Sequence, residues 1–379
     1  MTRAEAVIDL SAVAHNIDLL RRAAGGAALM AVVKADAYGH GVDRVAPAAR
    51  AAGADWLGVA LPGEAVALRE SGDTGRLMAW LFSPGDDLRP AVAGAVDLSA
   101  SAVWSVQAVA EAARQVGTTA RLHLKIDTGL GRGGATPAHW RQVLDAARDA
   151  EAAGHVRVVG IWSHLACADE PDLIVTRQQQ AVFEAALQEA AKAGIEPEVR
   201  HLASSGAALL APETHYDMVR CGIAVYGLSP GTPMGSSADL GLRPAMEVVA
   251  EVANVKRVPA GHGVSYGLRY RTERETTLAL VPVGYADGVP RAGSGRLPVD
   301  IGGRQYRAAG TVAMDQFVID VGDASVAPGD PVRLFGSGAG GAPTADDWAG
   351  ACGTINYEIV TRLGERIPRR YIGGGDGGV

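Results

Sequence analysis

The sequence predicts an α/β chain of two parts: a (β/α)8 barrel over residues 1–235, then a mainly β domain over residues 236–379. Short apolar runs recur eight times within about 200 residues, with Ala-rich amphipathic segments between most of them. That count and length suit a barrel, and the nearly continuous apolar runs suit a parallel sheet covered on both faces. The pattern changes near residue 230, where helical periodicity gives way to β-type segments divided by Gly, Pro and Asp turns. A doubly wound open sheet is the other α/β solution, but no Gly-x-Gly-x-x-Gly follows the first strand.

Taken in order, "MTRAEAVIDLSAVAHN" reads as a strand and then a helix. The eight runs follow: 29–34 (LMAVVK), 56–60 (WLGVA), 76–80 (RLMAW), 96–100 (VDLSA), 121–127 (RLHLKID), 156–165 (VRVVGIWSHL), 198–204 (EVRHLAS) and 218–227 (MVRCGIAVYG). The helical segments between them, such as "SVQAVAEAARQVG" and "TRQQQAVFEAALQEAAKAG", close on glycine, the usual helix stop. "LSPGTPMGSSADLGLRP" reads as a linker. Beyond it, "MEVVAEVANVKRV", "TTLALVPVGYADG", "LPVDIGGRQYRAAG", "MDQFVIDVG" and "DPVRLFG" read as β segments, with short helices in "TADDWAGAC" and "NYEIVTRLG". The tail "GGGDGGV" is expected to be disordered.

Composition excludes several function classes. Of 379 residues, 48% are hydrophobic and 20% charged, with 35 basic against 42 acidic side chains and a net charge of −7. The balance is that of a globular protein, and without a basic run no nucleic-acid partner is expected. No apolar stretch approaches a membrane span, and the start of the chain lacks a secretory h-region, so a cytoplasmic protein is expected. Cys167, Cys221 and Cys352 are far apart and lack metal-ligand spacing. They read as small core residues, with no disulfide framework and no metal site.

Chemistry in a (β/α)8 barrel sits at the C-terminal ends of the strands. Lys34 ends the first run, Lys125 and Asp127 the fifth, His164 the sixth and His201 the seventh, while Arg220 lies inside the eighth. Any one of these is ordinarily a solvated or structural residue; together on one rim they form a candidate site. A shielded lysine there has a lowered pKa and an amine nucleophilic towards aldehydes, of which pyridoxal phosphate (PLP) is the obvious one. A phosphate needs backbone N–H donors and hydroxyls, and Ser204, Ser205, Gly206, Gly222 and Ile223 offer them beyond the last two strands.

"AVVKADAYGHG", "LKIDTGLGRGG", "SHLACADE", "MVRCGIAVYGL", "AGHGVSYG", "VGYADG", "AMDQF" and "INYEIVTRLGERIPR" resemble, in order, the successive motifs of the alanine racemases, PLP enzymes of fold type III. The resemblance runs from residue 30 to about residue 370 and implies a role for each matched residue. Lys34 would bond to the cofactor aldehyde and act as one acid/base. Tyr38, Ser205, Tyr357 and the backbones of Gly222 and Ile223 would bind the phosphate. Arg220 would face the pyridine nitrogen, and Arg132 the cofactor phenolate and substrate carboxylate. Lys125 matches a lysine often carbamylated in the family, where it orients that arginine. His164 would support the second base, Tyr266. Met314 would offer its backbone N–H to the substrate carboxylate, and Tyr285 would narrow the approach. The family works as a homodimer in which Tyr266 and Met314 reach the partner's barrel. One departure is Ala313, where many members carry Cys.

These assignments imply interconversion of L- and D-alanine by two bases on opposite faces. A tyrosine has a pKa near ~10, so a basic phenolate at neutral pH needs a hydrogen-bonded support, which His164 and Arg220 would supply. A guanidinium only donates, so the ring nitrogen opposite Arg220 would stay unprotonated and the ring would withdraw fewer electrons. The rival expectations are a racemase of the same fold acting on serine or more broadly, and a non-catalytic PLP-binding homeostasis protein. The second resembles only the barrel and would lack Tyr266 and Met314.

Overall fold

The computed structural model describes residues 3–374, and most of the Gly-rich tail lies outside them. Its strands run from β1 (Ala4–Asp9) to β19 (Arg369–Ile372) and fall into two compact units. One unit comprises Ala14–Ala37 and Val42–Leu242; the other comprises Tyr38–Gly41 with the described residues up to Val13 and from Arg243 onward.

In the first unit all eight expected runs are strands: β2 (Ala28–Val32), β3 (Trp56–Val59), β4 (Arg76–Ala79), β5 (Asp97–Ala100), β6 (Ala120–Lys125), β7 (Val156–Trp162), β8 (Val199–His201) and β9 (Met218–Cys221). Each pairs in parallel with its neighbour in chain order, and β9 returns to β2 with Met30 opposite Arg220. A parallel bridge between Ser204 and Arg220 closes the ring, with the Arg220 N–H donating to the Ala203 carbonyl at 3.0 Å. The helices between strands bury one stripe each. In Pro137–Ala152 the buried residues are Trp140, Val143, Leu144 and Ala147, the i, i+3, i+4, i+7 spacing of a single helix face. Val103–Val116 buries Val106, Val109, Ala112 and Ala113 and stops at Gly117, whose φ of 76° no β-carbon favours.

The second unit holds a six-stranded sheet ordered β16-β15-β18-β10-β1-β19, with β10 (Met246–Glu251), β15 (Pro298–Ile301), β16 (Arg304–Arg307) and β18 (Pro331–Phe335). Three further strands, β11 (Asn254–Val258), β14 (Thr276–Val281) and β17 (Phe317–Gly322), form a separate antiparallel sheet. The ribbon β12 (Gly263–Val264) and β13 (Tyr270–Arg271) packs with them through Val258, Val264, Leu278 and Ala309. The N-terminal strand departs from the linear split at residue 235. β1 pairs antiparallel with β10 and parallel with β19, so it belongs to the β unit and not to the barrel. The barrel is therefore inserted between two strands of one sheet.

Candidate active site

Lys34 follows β2 where the chain leaves the barrel floor for its rim. The next turn, within Lys34–Gly39, is a left-handed helix: φ is 52°, 54°, 52° and 54° at Ala35, Asp36, Ala37 and Tyr38, and 78° at Gly39. Left-handed coiling costs L-residues roughly 1–2 kcal/mol each, so surrounding bonds must hold it. Glu64 Oε1 accepts the Ala35 N–H at 2.6 Å, the Val33 carbonyl accepts the Ala37 N–H at 2.9 Å, and Asp36 Oδ1 accepts the Val42 N–H at 2.7 Å. Burial pushes the Lys34 amine below the usual lysine range; Arg132 adds to this and Glu64 opposes it. The result is an amine that gives up its proton more readily than a surface lysine.

Arg220 lies deep on the same rim, only 5% exposed. Its Nη2 donates to the carbonyls of Ser163 (2.8 Å) and Leu202 (3.1 Å) and lies 3.2 Å from His164 Nδ1. Its guanidinium sits 4.8 Å from the centre of the Trp162 ring. Burial lowers its pKa to about 9, which leaves it protonated at neutral pH. His164 is held well below the ordinary imidazole range, by burial and then by the charges of Arg220, Arg132, Lys125 and Lys34. His164 is therefore neutral. Because arginine only donates, Nδ1 carries the lone pair and Nε2 the proton.

Lys125 ends β6 with its amine 4.3 Å from the Trp162 ring centre. Burial, then Arg220 and Arg132, bring its pKa down to about 8, against the pull of Asp127. The loop that carries Arg132 is cinched: Asp127 Oδ1 accepts the N–H groups of Gly129 (2.9 Å) and Gly131 (3.2 Å). A β-carbon at Gly134, where φ is 129°, would lie 2.5 Å from the Asp127 nitrogen, so that position requires glycine. Beside these cations, Ser205 opens the helix Ser205–Leu210 and its Oγ accepts the Gly222 N–H at 2.9 Å. Ile223 opens the next 3-10 helix, so its N–H has no carbonyl within that helix to reach.

The other expected residues belong to the β unit, in two groups. The rings of Tyr38 and Tyr357 have centroids 6.2 Å apart. Tyr266, Tyr285 and Met314 are joined through backbone. The Thr311 hydroxyl donates to the Tyr266 carbonyl at 3.0 Å, the Tyr285 N–H to the Ala313 carbonyl at 3.1 Å, and the Ala286 N–H to the Met314 carbonyl at 2.9 Å. A β-carbon at Gly284 would come within 2.4 Å of both loop carbonyls, so glycine lets the two turns touch. Despite these anchors the side chains stand out: Tyr266 is 72% exposed, Met314 52% and Tyr285 40%.

Comparison with known proteins adds the family. Residues 8–230 match the profile "Alanine racemase, N-terminal domain", and residues 245–371 match "Alanine racemase, C-terminal domain". The chain belongs to the alanine racemase family. The alanine racemase of Frankia casuarinae is 56% identical over 98% of this chain and 96% of its own. The crystal structure of the alanine racemase from D-cycloserine-producing Streptomyces lavendulae superposes with a TM-score of 0.97, at 55% identity over 99% of this chain and 98% of that one. A Bacillus anthracis alanine racemase with bound L-Ala-P gives a TM-score of 0.90 at 33% identity, over 99% of this chain and 96% of that one.

Alanine racemases are PLP-dependent isomerases. The residues of this chain fit that cofactor. Lys34, Lys125, Arg132 and Arg220 converge on the neutral His164, and among the described residues no carboxylate pairs with Arg220. A bound phosphate and an α-carboxylate would supply the negative charge this cluster lacks, and Lys34 would supply the amine. The sequence did not expose every member of the alanine racemase site. The left-handed turn after Lys34 and its Glu64 support are not legible in the sequence, because Ala and Tyr disfavour left-handed backbone and the tolerance of Asp36 for it signals single residues, not a turn of four. Trp162, under Lys125 and Arg220, read as one more apolar residue of its run.

Proposed function

We propose that this chain racemises alanine with Lys34 and Tyr266 as the two bases, as a homodimer whose sites draw on both chains. The observation that carries the reading is the cluster of cations around an amine of lowered pKa and a neutral His164. PLP, when bound, offers an aldehyde to the amino group and a conjugated ring that draws electrons from the α-carbon. Ser205, Gly222, Ile223, Tyr38 and Tyr357 would hold its phosphate, and Arg220 its ring nitrogen. Arg132 and the Met314 N–H would orient the substrate carboxylate, with Lys125, as a carbamate, steadying Arg132. From one enantiomer Lys34 takes the α-proton while the Tyr266 hydroxyl delivers its own to the opposite face; from the other the two exchange roles. With its Nδ1 facing Arg220, His164 keeps its Nε2–H as the donor that would stabilise a phenolate. The exposure of Tyr266, Tyr285 and Met314 supports a partner chain as their surroundings. A cytoplasmic location accords with the described residues, none of whose helices is long and apolar enough to cross a membrane.

The experiment is to supply the purified, PLP-loaded protein with L-alanine, L-serine and L-lysine in turn and assay the D-enantiomers. D-alanine formation well ahead of the others is expected. Serine or lysine turned over equally well overturns alanine specificity, and no turnover at all leaves the non-catalytic PLP protein as the answer.

A further inference from the structure

The barrel interior holds a file of polar side chains that the proposed chemistry does not use. Barrels of this class ordinarily fill the interior with layers of branched apolar residues. Here Asp97 at the start of β5, His123 in β6 and His201 at the end of β8 stand in line with Arg220 in β9. His123 Nε2 is 3.2 Å from Asp97 Oδ2, His123 Nδ1 is 2.9 Å from His201 Nε2, and His201 Nδ1 is 3.2 Å from Arg220 Nη1. Both histidines are fully buried and Asp97 nearly so. On its far side the Asp97 carboxylate receives Arg121 Nε at 3.0 Å and Arg76 Nη2 at 3.2 Å.

The two ends fix the direction of every bond between them. A guanidinium only donates, so His201 Nδ1 accepts and its proton sits on Nε2. That proton is donated to His123 Nδ1, which leaves the His123 proton on Nε2, facing a carboxylate that only accepts. One neutral tautomer of each histidine satisfies all four ring nitrogens, and the donors run from Arg220 towards Asp97. The seat is also shaped for His123: a β-carbon at Gly160 in β7 would lie 2.0 Å from His123 Nδ1. The His201 ring stacks on Trp162, 5.6 Å between centroids and 2° from parallel. The contacts to His201, His164, Ser163 and Leu202 engage Nη1 and Nη2 of Arg220 and, among the described residues, leave its Nε uncommitted.

We propose that Asp97, His123 and His201 are positioning residues, a file that fixes the direction of the Arg220 guanidinium and anchors its charge so that Nε faces the cofactor ring throughout turnover. The inference rests on the function proposed above. Each member acts only through the next, so Asp97 reaches Arg220 across two imidazoles.

The test compares PLP-loaded wild type with Asp97→Asn, His123→Phe, His123→Gln and the double variant Asp97→Asn/His123→Phe. The readouts are kcat and KM for alanine, the absorption spectrum of the bound cofactor, and the melting temperature. Asp97→Asn and His123→Phe are each expected to lower kcat about 10- to 100-fold with KM within about twofold, and to shift the cofactor spectrum. The double variant should be no worse than His123→Phe alone, because the file is already cut. Gln can donate to Asp97 and accept from His201, so His123→Gln should recover most of the loss. Variants that melt earlier yet keep wild-type kcat and spectrum overturn the proposal, as does a double variant whose losses add. If His123→Phe does not fold, Asp97→Asn set against Asp97→Asn/His123→Gln makes the same comparison. A wild type that fails to racemise alanine refutes the proposed function instead.

Discussion

Lys125 differs from a surface lysine mainly in what surrounds it. With its pKa brought down to about 8 by burial and two arginines, roughly a quarter of its amine is neutral near pH ~7.5, against about one part in a thousand for an ordinary lysine. Only the neutral amine adds carbon dioxide, so intact mass should reveal a carbamate in bicarbonate buffer whose occupancy rises from pH ~7 to ~9. A mass that never departs from the unmodified chain refutes the carbamate. Tyr266 carries a second prediction. Tyr266→Phe should abolish α-proton exchange into deuterated water starting from one enantiomer while much of it survives from the other, where Lys34 acts first. Small and equal losses from both would sink the two-base assignment. The lysine and tyrosine were legible as sequence because each sits in a motif. His123 was not: in "RLHLK" it is one inward position of a strand, and only the closed barrel puts it beside Asp97 and His201.

The left-handed turn after Lys34 is the element whose chemistry and stability pull apart. Four non-glycine residues hold a backbone that L-residues avoid, at a cost on the order of 4–8 kcal/mol in all. Ala35 is exposed, so replacing it removes little packing. Ala35→Gly should raise unfolding stability by about 1 kcal/mol, read from urea melts, with D-alanine production little changed. Destabilisation by that substitution would mean the methyl group does more than its exposure implies. Gly134→Ala should act the opposite way, since its β-carbon strikes the Asp127 backbone and loosens the loop of Arg132; a KM for alanine raised more than kcat is lowered is the expected signature. The barrel strands were readable because a buried parallel strand must be a short apolar run. β1 was readable as a strand, but "AEAVID" carries nothing to say which sheet it joins, and its partners β10 and β19 lie hundreds of residues away.

At the scale of the whole molecule, the proposal that each site draws on two chains makes a sharp prediction. Lys34→Ala and Tyr266→Phe homodimers should each be inactive as racemases. When the two are unfolded together and refolded, about half the dimers are mixed, and each mixed dimer contains one site with both bases intact. Activity near about a quarter of wild type is expected; none regained would mean that each chain supplies both of its own bases. The placement of β1 beside β19 has a consequence for how the protein is made. Ala6 is paired with Arg369, so the strand that leaves the ribosome among the first waits for one that leaves among the last. The barrel residues are complete by Leu242. At ordinary rates of roughly 5–20 residues per second, several seconds to half a minute of translation then remain before the six-stranded sheet can close. During that interval the β19 side of β1 is an open edge, and a chaperone that shields it should raise yield without touching the finished enzyme. A chain truncated after Leu242, which lacks both β10 and β19, should resist protease across the barrel yet be cut within Ala4–Asp9, and the full chain should protect both.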